Sequence, residues 1–215
     1  MRVERLTLGA LETNCWIVSA GGEEPAVVID PADDADAVLE AVGDRAVCAI
    51  VLTHAHFDHL AAAGDVLEAT GAPLMVHEDD AERIVSDAPQ GTGGALFGFH
   101  GITAPPADRV LRDGDTVESG ALSLRVLHTP GHTQGCISLY AEDPEGGPPH
   151  LFSGDTLFAG SVGRTDFPGG DARTLSRSIA SRIAPLPPET VVHPGHGPDT
   201  TVAREARINP FWPRT

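Results

Sequence analysis

The sequence predicts a layered α/β fold, in which a mixed β-sheet is covered by helices on its outer faces. Three observations carry that expectation. Short runs rich in Val, Ile and Leu are bounded by Gly, Asp or Pro, as strands are. Segments with helix-period apolar residues and no internal Pro stand between some of those runs. Other runs follow one another across turns alone, so parallel and antiparallel pairing should coexist.

In chain order, residues 15–18 and 26–29 read as strands, because Cys, Trp, Ile and Val crowd between turn residues. Residues 35–42 keep helical spacing behind the acidic stretch Asp33-Asp34, and Gly43 follows as a stop signal. A further strand is expected at 47–52 and a helix at 59–69, again closed by a nearby Gly, Gly71. Residues 122–127 read as a strand and 172–183 as a helix. The Gly/Pro/Asp-rich stretches 88–108 and 143–149 show little periodicity. The first contains Phe97 and Phe99 and is long enough to be a functional loop that shapes a pocket. No linker, repeat or low-complexity tract divides the chain, so residues 1–215 are expected to form one domain.

Composition removes several functions. The 14 basic residues are all Arg, against 31 acidic ones, for a net charge of −17. Without Lys there is neither a Walker-type phosphate loop nor Schiff-base chemistry. Scattered Arg among so many carboxylates argues against nucleic acid as a partner. The three cysteines, Cys15, Cys48 and Cys136, are far apart and sit among strand-forming residues, which predicts reduced, buried thiols. Met1-Arg2-Val3-Glu4-Arg5 opens no apolar leader, and no stretch approaches the roughly 18 apolar residues of a membrane span. A cytoplasmic protein without membrane partners is expected.

The chemistry concentrates in Thr53-His54-Ala55-His56-Phe57-Asp58-His59, directly after the apolar run Ala49-Ile50-Val51-Leu52. Side chains at the carboxyl end of a strand in an α/β sheet fan into the crevice where ligands bind. Imidazole and carboxylate donors together suit zinc, iron or manganese. Taken singly, each His could be a satisfied packing residue and Asp58 a helix cap. Four costly polar groups at one corner call for a common partner. Three later segments repeat a Gly-flanked donor: Pro130-Gly131-His132-Thr133, Ser153-Gly154-Asp155-Thr156 and Pro194-Gly195-His196-Gly197.

That order of motifs, His-x-His-x-Asp-His, Gly-His-Thr, Gly-Asp, Gly-His-Gly, resembles the metallo-β-lactamase superfamily over essentially the whole chain. Within it, Asn14-Cys15-Trp16, Gly163-Arg164-Thr165-Asp166-Phe167 and Asn209-Pro210-Phe211 are similar to glyoxalase II-like (hydroxyacylglutathione hydrolase-like) enzymes. The resemblance implies a four-layer αββα sandwich and two divalent metal ions, zinc first, with iron or manganese as alternatives. It implies His54, His56 and His132 on one metal, Asp58, His59 and His196 on the other, and Asp155 bridging. A water shared by two cations on the order of 4 Å apart would attack a small-molecule thioester, with Asp58 as catalytic residue orienting it. The leaving thiol, with a pKa of about 8.5, needs no strong general acid. Arg164 is the nearest candidate for a substrate-binding cation, the alternative being a structural Arg tied to Asp166 or a loop carbonyl.

Only eighteen residues follow Gly197, which predicts a short form lacking the helical extension that helps longer enzymes bind glutathione, so the thiol portion stays open. His77, His100, His128, His150 and His193 fall outside the implied ligand positions. His128 and His193 lie near motif loops but are read as packing residues, and Cys136 as strand filler. One rival is a persulfide dioxygenase of the same superfamily, with a single iron on His54, His132 and Asp155. Another is a lactonase or β-lactamase using the same metals. A non-catalytic binding protein would show a broken donor set, and this one is whole.

Overall fold

A computed structural model describes residues 1–213. Its first sheet is built from β1 (Arg2–Leu8), β2 (Thr13–Ser19), β3 (Ala26–Ile29), β4 (Val47–Val51), β5 (Leu74–His77) and β6 (Arg109–Leu111), side by side in chain order. The first three are antiparallel neighbours and the last three pairings are parallel. The crossovers that parallel pairing demands carry α1 (Ala35–Val42) and α2 (Ala63–Thr70).

The second sheet takes β7 (Thr116–Ser119), β8 (Leu122–His128), β9 (Ile137–Ala141), β10 (His150–Gly154), β13 (Val191–Pro194) and β14 (Thr200–Thr201) in that spatial order. A hairpin of β11 (Leu157–Phe158) and β12 (Ser161–Val162) stands apart from it. Helix α3 (Ala172–Ser178) runs on into a π-helical turn at Ile179–Ile183, and α4 (Val202–Ile208) closes the described chain.

Strand alternation explains the layering. Every residue of β2 is buried, because both faces of its sheet are covered. Cys15 and Ile17 point to α1 and α2, where they join Val38, Val42, Ala63 and Val66. Trp16 and Val18 point the other way, against Leu122, Leu124, Ile137 and Phe152 of the second sheet. The far face of that sheet, with Leu127, Tyr140, Leu151 and Val192, packs on Leu175, Ile179, Ile183 and Val202 of the outer helices. Three apolar interfaces therefore separate four layers, αββα, in agreement with the expected fold.

Two local expectations change. The helix expected over 59–69 starts only at Ala63; before it, Phe57–His59 forms a single 3-10 turn. The chain is held there by the amide of Ala62 donating to the Pro31 carbonyl at 3.0 Å, and by a His59 side chain directed into the site rather than along a helix face. Cys15 and Cys136 are buried free thiols as expected, but Cys48, near the start of β4, is only half-buried. Cys136 lies one residue before β9, and its sulfur accepts from the Thr133 amide at 3.3 Å.

Candidate metal centre

The donor-bearing loops all leave the same edge of the sandwich: the segment after β4, the turn between β8 and β9, the end of β10 and the end of β13. His54 Nε2 and His56 Nδ1 are 3.1 Å apart, and His56 Nδ1 is 2.8 Å from His132 Nε2. On the other side, His59 Nε2 lies 3.6 Å from Asp58 Oδ2, which is 3.3 Å from His196 Nε2. Asp155 sits between the groups, with Oδ1 3.4 Å from His59 Nε2 and Oδ2 3.5 Å from His132 Nε2. All seven expected donors thus converge, as two clusters joined through Asp155.

The outer hydrogen bonds aim these donors. His132 Nδ1 donates to the Arg164 carbonyl at 2.6 Å and His196 Nδ1 to the Leu11 carbonyl at 3.1 Å. His59 Nδ1 donates to Asp30 Oδ2 at 2.9 Å. The Thr53 hydroxyl donates to the same oxygen at 2.7 Å and accepts from His54 Nδ1 at 3.1 Å. Four imidazoles therefore keep Nδ1 protonated and turn a bare Nε2 inward, an arrangement usual for metal-binding His. His56 alone is reversed and presents Nδ1. The fit to a cation is tested by what is left over. His59 Nε2 and Asp155 Oδ1 are buried without a hydrogen-bond partner, a costly state for both unless a cation joins them.

Electrostatics divide the site. Burial, reinforced by the neighbouring imidazoles, holds His54 well below its ordinary value and His56 at about 3, so both are neutral and can coordinate. Burial also pushes His59 down, but Asp58, Asp155 and Asp30 outweigh it and draw positive charge to that ring. Asp155 is opposed by burial in the same way, yet His59 and its neighbours lower it to about 2. The carboxylate end therefore attracts positive charge, which two divalent cations would supply.

Above the donors opens a cavity of about 190 Å³. Pro89, Thr92, Gly93, Leu96 and Phe97 of the 88–108 loop form one wall, as expected, and Phe167 and Pro168 the other. Phe99 instead stacks on Phe57 at 5.0 Å and supports the wall from behind. Arg164 lines the cavity, but its fork is taken by Asp166 at 2.8 and 2.7 Å.

Two acids escaped the sequence reading. Asp30, directly after β3 and with φ of +51°, anchors both His59 and Thr53. Asp80, fully buried, accepts from the Ala55 amide at 3.0 Å, the Thr133 hydroxyl at 2.7 Å and the Gly135 amide at 3.1 Å, tying the first histidine loop to the second. Their only signal was an acid beside an apolar run, shared by many exposed Asp. Of the remaining histidines, His193 packs between Trp16 and Phe152 and bonds to His150 at 2.8 Å. His77 and His128 stack at 4.0 Å beside Asp79, away from the seven donors. His128 Nε2 donates to the Gln134 carbonyl at 2.9 Å and is not left free to coordinate.

A family model for the metallo-β-lactamase superfamily matches residues 8–196, from the first hairpin to the last donor. The chain belongs to this superfamily. Among its superfamily relatives, a probable metallo-hydrolase of Bacillus subtilis, YqgX, is 34% identical over 98% of this chain and 97% of its own length. Hydroxyacylglutathione hydrolase GloC of Haemophilus influenzae is 31% identical over 98% of both. Of solved superfamily members, the BLEG-1 B3 metallo-β-lactamase superposes with a TM-score of 0.89 at 37% identity, covering 98% of this chain and 99% of that one. TTHA1623, solved in a di-iron-bound form, gives 0.78 at 40% identity, with 97% and 100% covered. ETHE1 from Myxococcus xanthus gives 0.79 at 31% identity, with 98% and 84% covered.

Superfamily membership also makes sense of motif residues that touch no donor directly. Asn14 Nδ2 donates to the carbonyls of Pro194 and Gly197 at 3.0 and 2.9 Å, and Trp16 Nε1 to Pro194 at 3.2 Å, so β2 holds the His196 loop. Asn209 Nδ2 donates to Ser161 at 2.9 Å and steadies the β11–β12 hairpin that leads to Gly163 and Arg164.

Proposed function

We propose that this chain is a binuclear metal-dependent hydrolase of thioesters, of the hydroxyacyl-thiol kind. One observation carries the proposal: two donor clusters meet at Asp155, with orphaned donors on His59 and Asp155, beneath a mostly apolar cavity. His54, His56 and His132 would hold one divalent cation and Asp58, His59 and His196 the other, with Asp155 shared. Cations there would polarise a carbonyl and lower the pKa of a water, the chemistry that ester and thioester hydrolysis needs.

The chain's own residues do the rest. Asp58 Oδ2 accepts from the Thr13 hydroxyl at 2.9 Å, which fixes the carboxylate where it faces the cavity and can orient the attacking water. Phe57, Leu96, Phe97 and Phe167 exclude bulk water around the scissile bond. Arg164 contacts substrate at the rim as an Asp166-paired group. Among the described residues no acid besides Asp58 and Asp155 lines the cavity, which suits a thiolate leaving group better than an amine or alkoxide. Likeness to GloC supports the thioester, and likeness to TTHA1623 supports two metals and admits iron beside zinc.

The test is metal content per chain by elemental analysis, alongside turnover of a hydroxyacyl-thiol ester on the same preparation. Close to two metals with turnover supports the proposal. A single iron, no hydrolysis and oxygen uptake with a thiol persulfide would replace it by the mononuclear dioxygenase reading that the segment 163–167 raised. Turnover confined to a β-lactam would favour the activity named for BLEG-1. Asp155→Ala should lose metal and rate together with the sheets intact, and Asp58→Ala should keep one metal and lose most of the rate.

A further inference from the structure

Seven large hydrophobic side chains are strongly exposed among the described residues, and three of them, Leu11, Leu96 and Phe97 at 44%, 47% and 46%, stand at the mouth of the cavity. Single exposed apolar side chains are ordinary, but three converging on one opening above a charged floor mark a surface that a ligand covers. Across the mouth, Phe167 meets Phe97 edge-on at 5.2 Å and the His56 ring at 6.2 Å, so one aromatic wall runs from rim to floor. The cations tell the complementary story. Among the described residues Arg164 is the only Arg on the cavity lining; Asp166 holds its fork, and its guanidinium lies 3.5 Å over the Phe167 ring. Arg83, behind the wall, points its donors at the carbonyls of Gln90, Gly91 and Pro168 and at Asp80. The formal net charge of −17 stays strongly negative even with two divalent cations added, so the molecule as a whole does not gather a polyanionic substrate.

We infer that the cavity selects an uncharged, apolar moiety next to the scissile thioester and disfavours substrates that carry carboxylates or phosphates there. Its volume of about 190 Å³ suits a phenyl or short branched alkyl group, since an apolar cavity of about 150 Å³ holds benzene. This selectivity rests on the hydrolase reading of the site for its chemistry, but not for its shape.

The experiment uses the metal-loaded protein and two ester series. With N-acetylcysteamine as fixed thiol, acetyl, phenylacetyl and succinyl esters are compared; with acetyl fixed, the thiols are N-acetylcysteamine, benzyl mercaptan and glutathione. A gain in kcat/KM of about tenfold or more for phenylacetyl over acetyl, with succinyl slowest, places the apolar moiety on the acyl side. The same gain for benzyl mercaptan, with glutathione slowest, places it on the thiol side. Phe97→Ala should flatten whichever ratio is large. Fastest turnover of the succinyl or glutathione ester would overturn the inference. If no thioester is turned over, the hydrolase reading fails, and calorimetric titration with two stable thioethers decides the selectivity alone. Tighter binding of S-benzyl-N-acetylcysteamine than of S-methylglutathione upholds it; the reverse order, or no binding of either, overturns it.

Discussion

Asp30 shows how much a single buried side chain decides. One of its oxygens takes the Thr53 amide at 2.7 Å, and the other takes the Thr53 hydroxyl and His59 Nδ1, so the tautomer and direction of His59 follow from this one acid. Asp30→Asn keeps the volume but offers His59 a weaker acceptor or a competing donor. We expect metal affinity to fall by roughly 10–100-fold while the fold persists; competition against a chelator would measure it. His150 is a second case, remote from the metals. Burial, then the neighbouring His193, lowers it to about 4, against about 6.5 in an unfolded chain. The unfolded state then binds more protons between those values, so the stability tied to a neutral His150 is present above pH 6.5 and is lost as pH falls toward 4. The residue is only half-buried, so after screening the effect should not exceed about 2 kcal/mol. Denaturant unfolding of wild type and His150→Asn from pH 4 to 7 should show the gap between them changing over that window; a constant gap would sink the account.

The elements around the site are held by a few cross-loop ties. Arg83 joins Gln90 and Gly91 of one cavity wall to Pro168 of the other, and Asp80 links that guanidinium to both histidine loops. Arg83→Ala should therefore leave metal content unchanged, speed amide exchange over residues 88–92, and lower kcat/KM by about tenfold through misplacement of the walls. Exchange and kinetics together check this, because a purely global loss of stability would move all amides. The glycines of the donor loops work by close approach. A Cβ on Gly195 would stand 2.3 Å from Asp155 Oδ1 and 2.6 Å from the His59 ring. Gly195→Ala should displace the Asp155 carboxylate and reduce bound metal below that of wild type, as elemental analysis would report. The helix expected over 59–69 fails for a related reason: the turn at Phe57–His59 gives its side chains to the site and its backbone to loop contacts, so helical periodicity alone misplaced its start.

At the scale of the whole molecule, two sheets share one apolar interface and bring four loops to one edge, so metal binding and folding are coupled. Chelation should lower the melting temperature by roughly 5–10 °C for a metal held at about 100 times its dissociation constant, and zinc should restore it. A melting temperature indifferent to chelator would show the donor loops to be rigid without a cation. Among the described residues, no helix is long and apolar enough to cross a membrane.

What the sequence by itself determined was the α/β class, the superfamily and the seven candidate donors that the structure brings together, because strand runs and Gly-flanked His and Asp are local patterns that survive without coordinates. It also placed the 88–108 loop at the pocket, from its length and its aromatic residues. What only the tertiary structure decided was the support: Asp30, Asp80, Arg83 and the carbonyl of Arg164 act across 29 to 85 positions of chain by contacts that no local pattern encodes. The pairing of Arg164 with Asp166 is local, two residues apart, and what the tertiary structure adds is the seat of that guanidinium over the Phe167 ring, which makes it part of an aromatic wall. Donor identity is written in residue type, but whether a charge is free, paired or buried is a property of its neighbours in space.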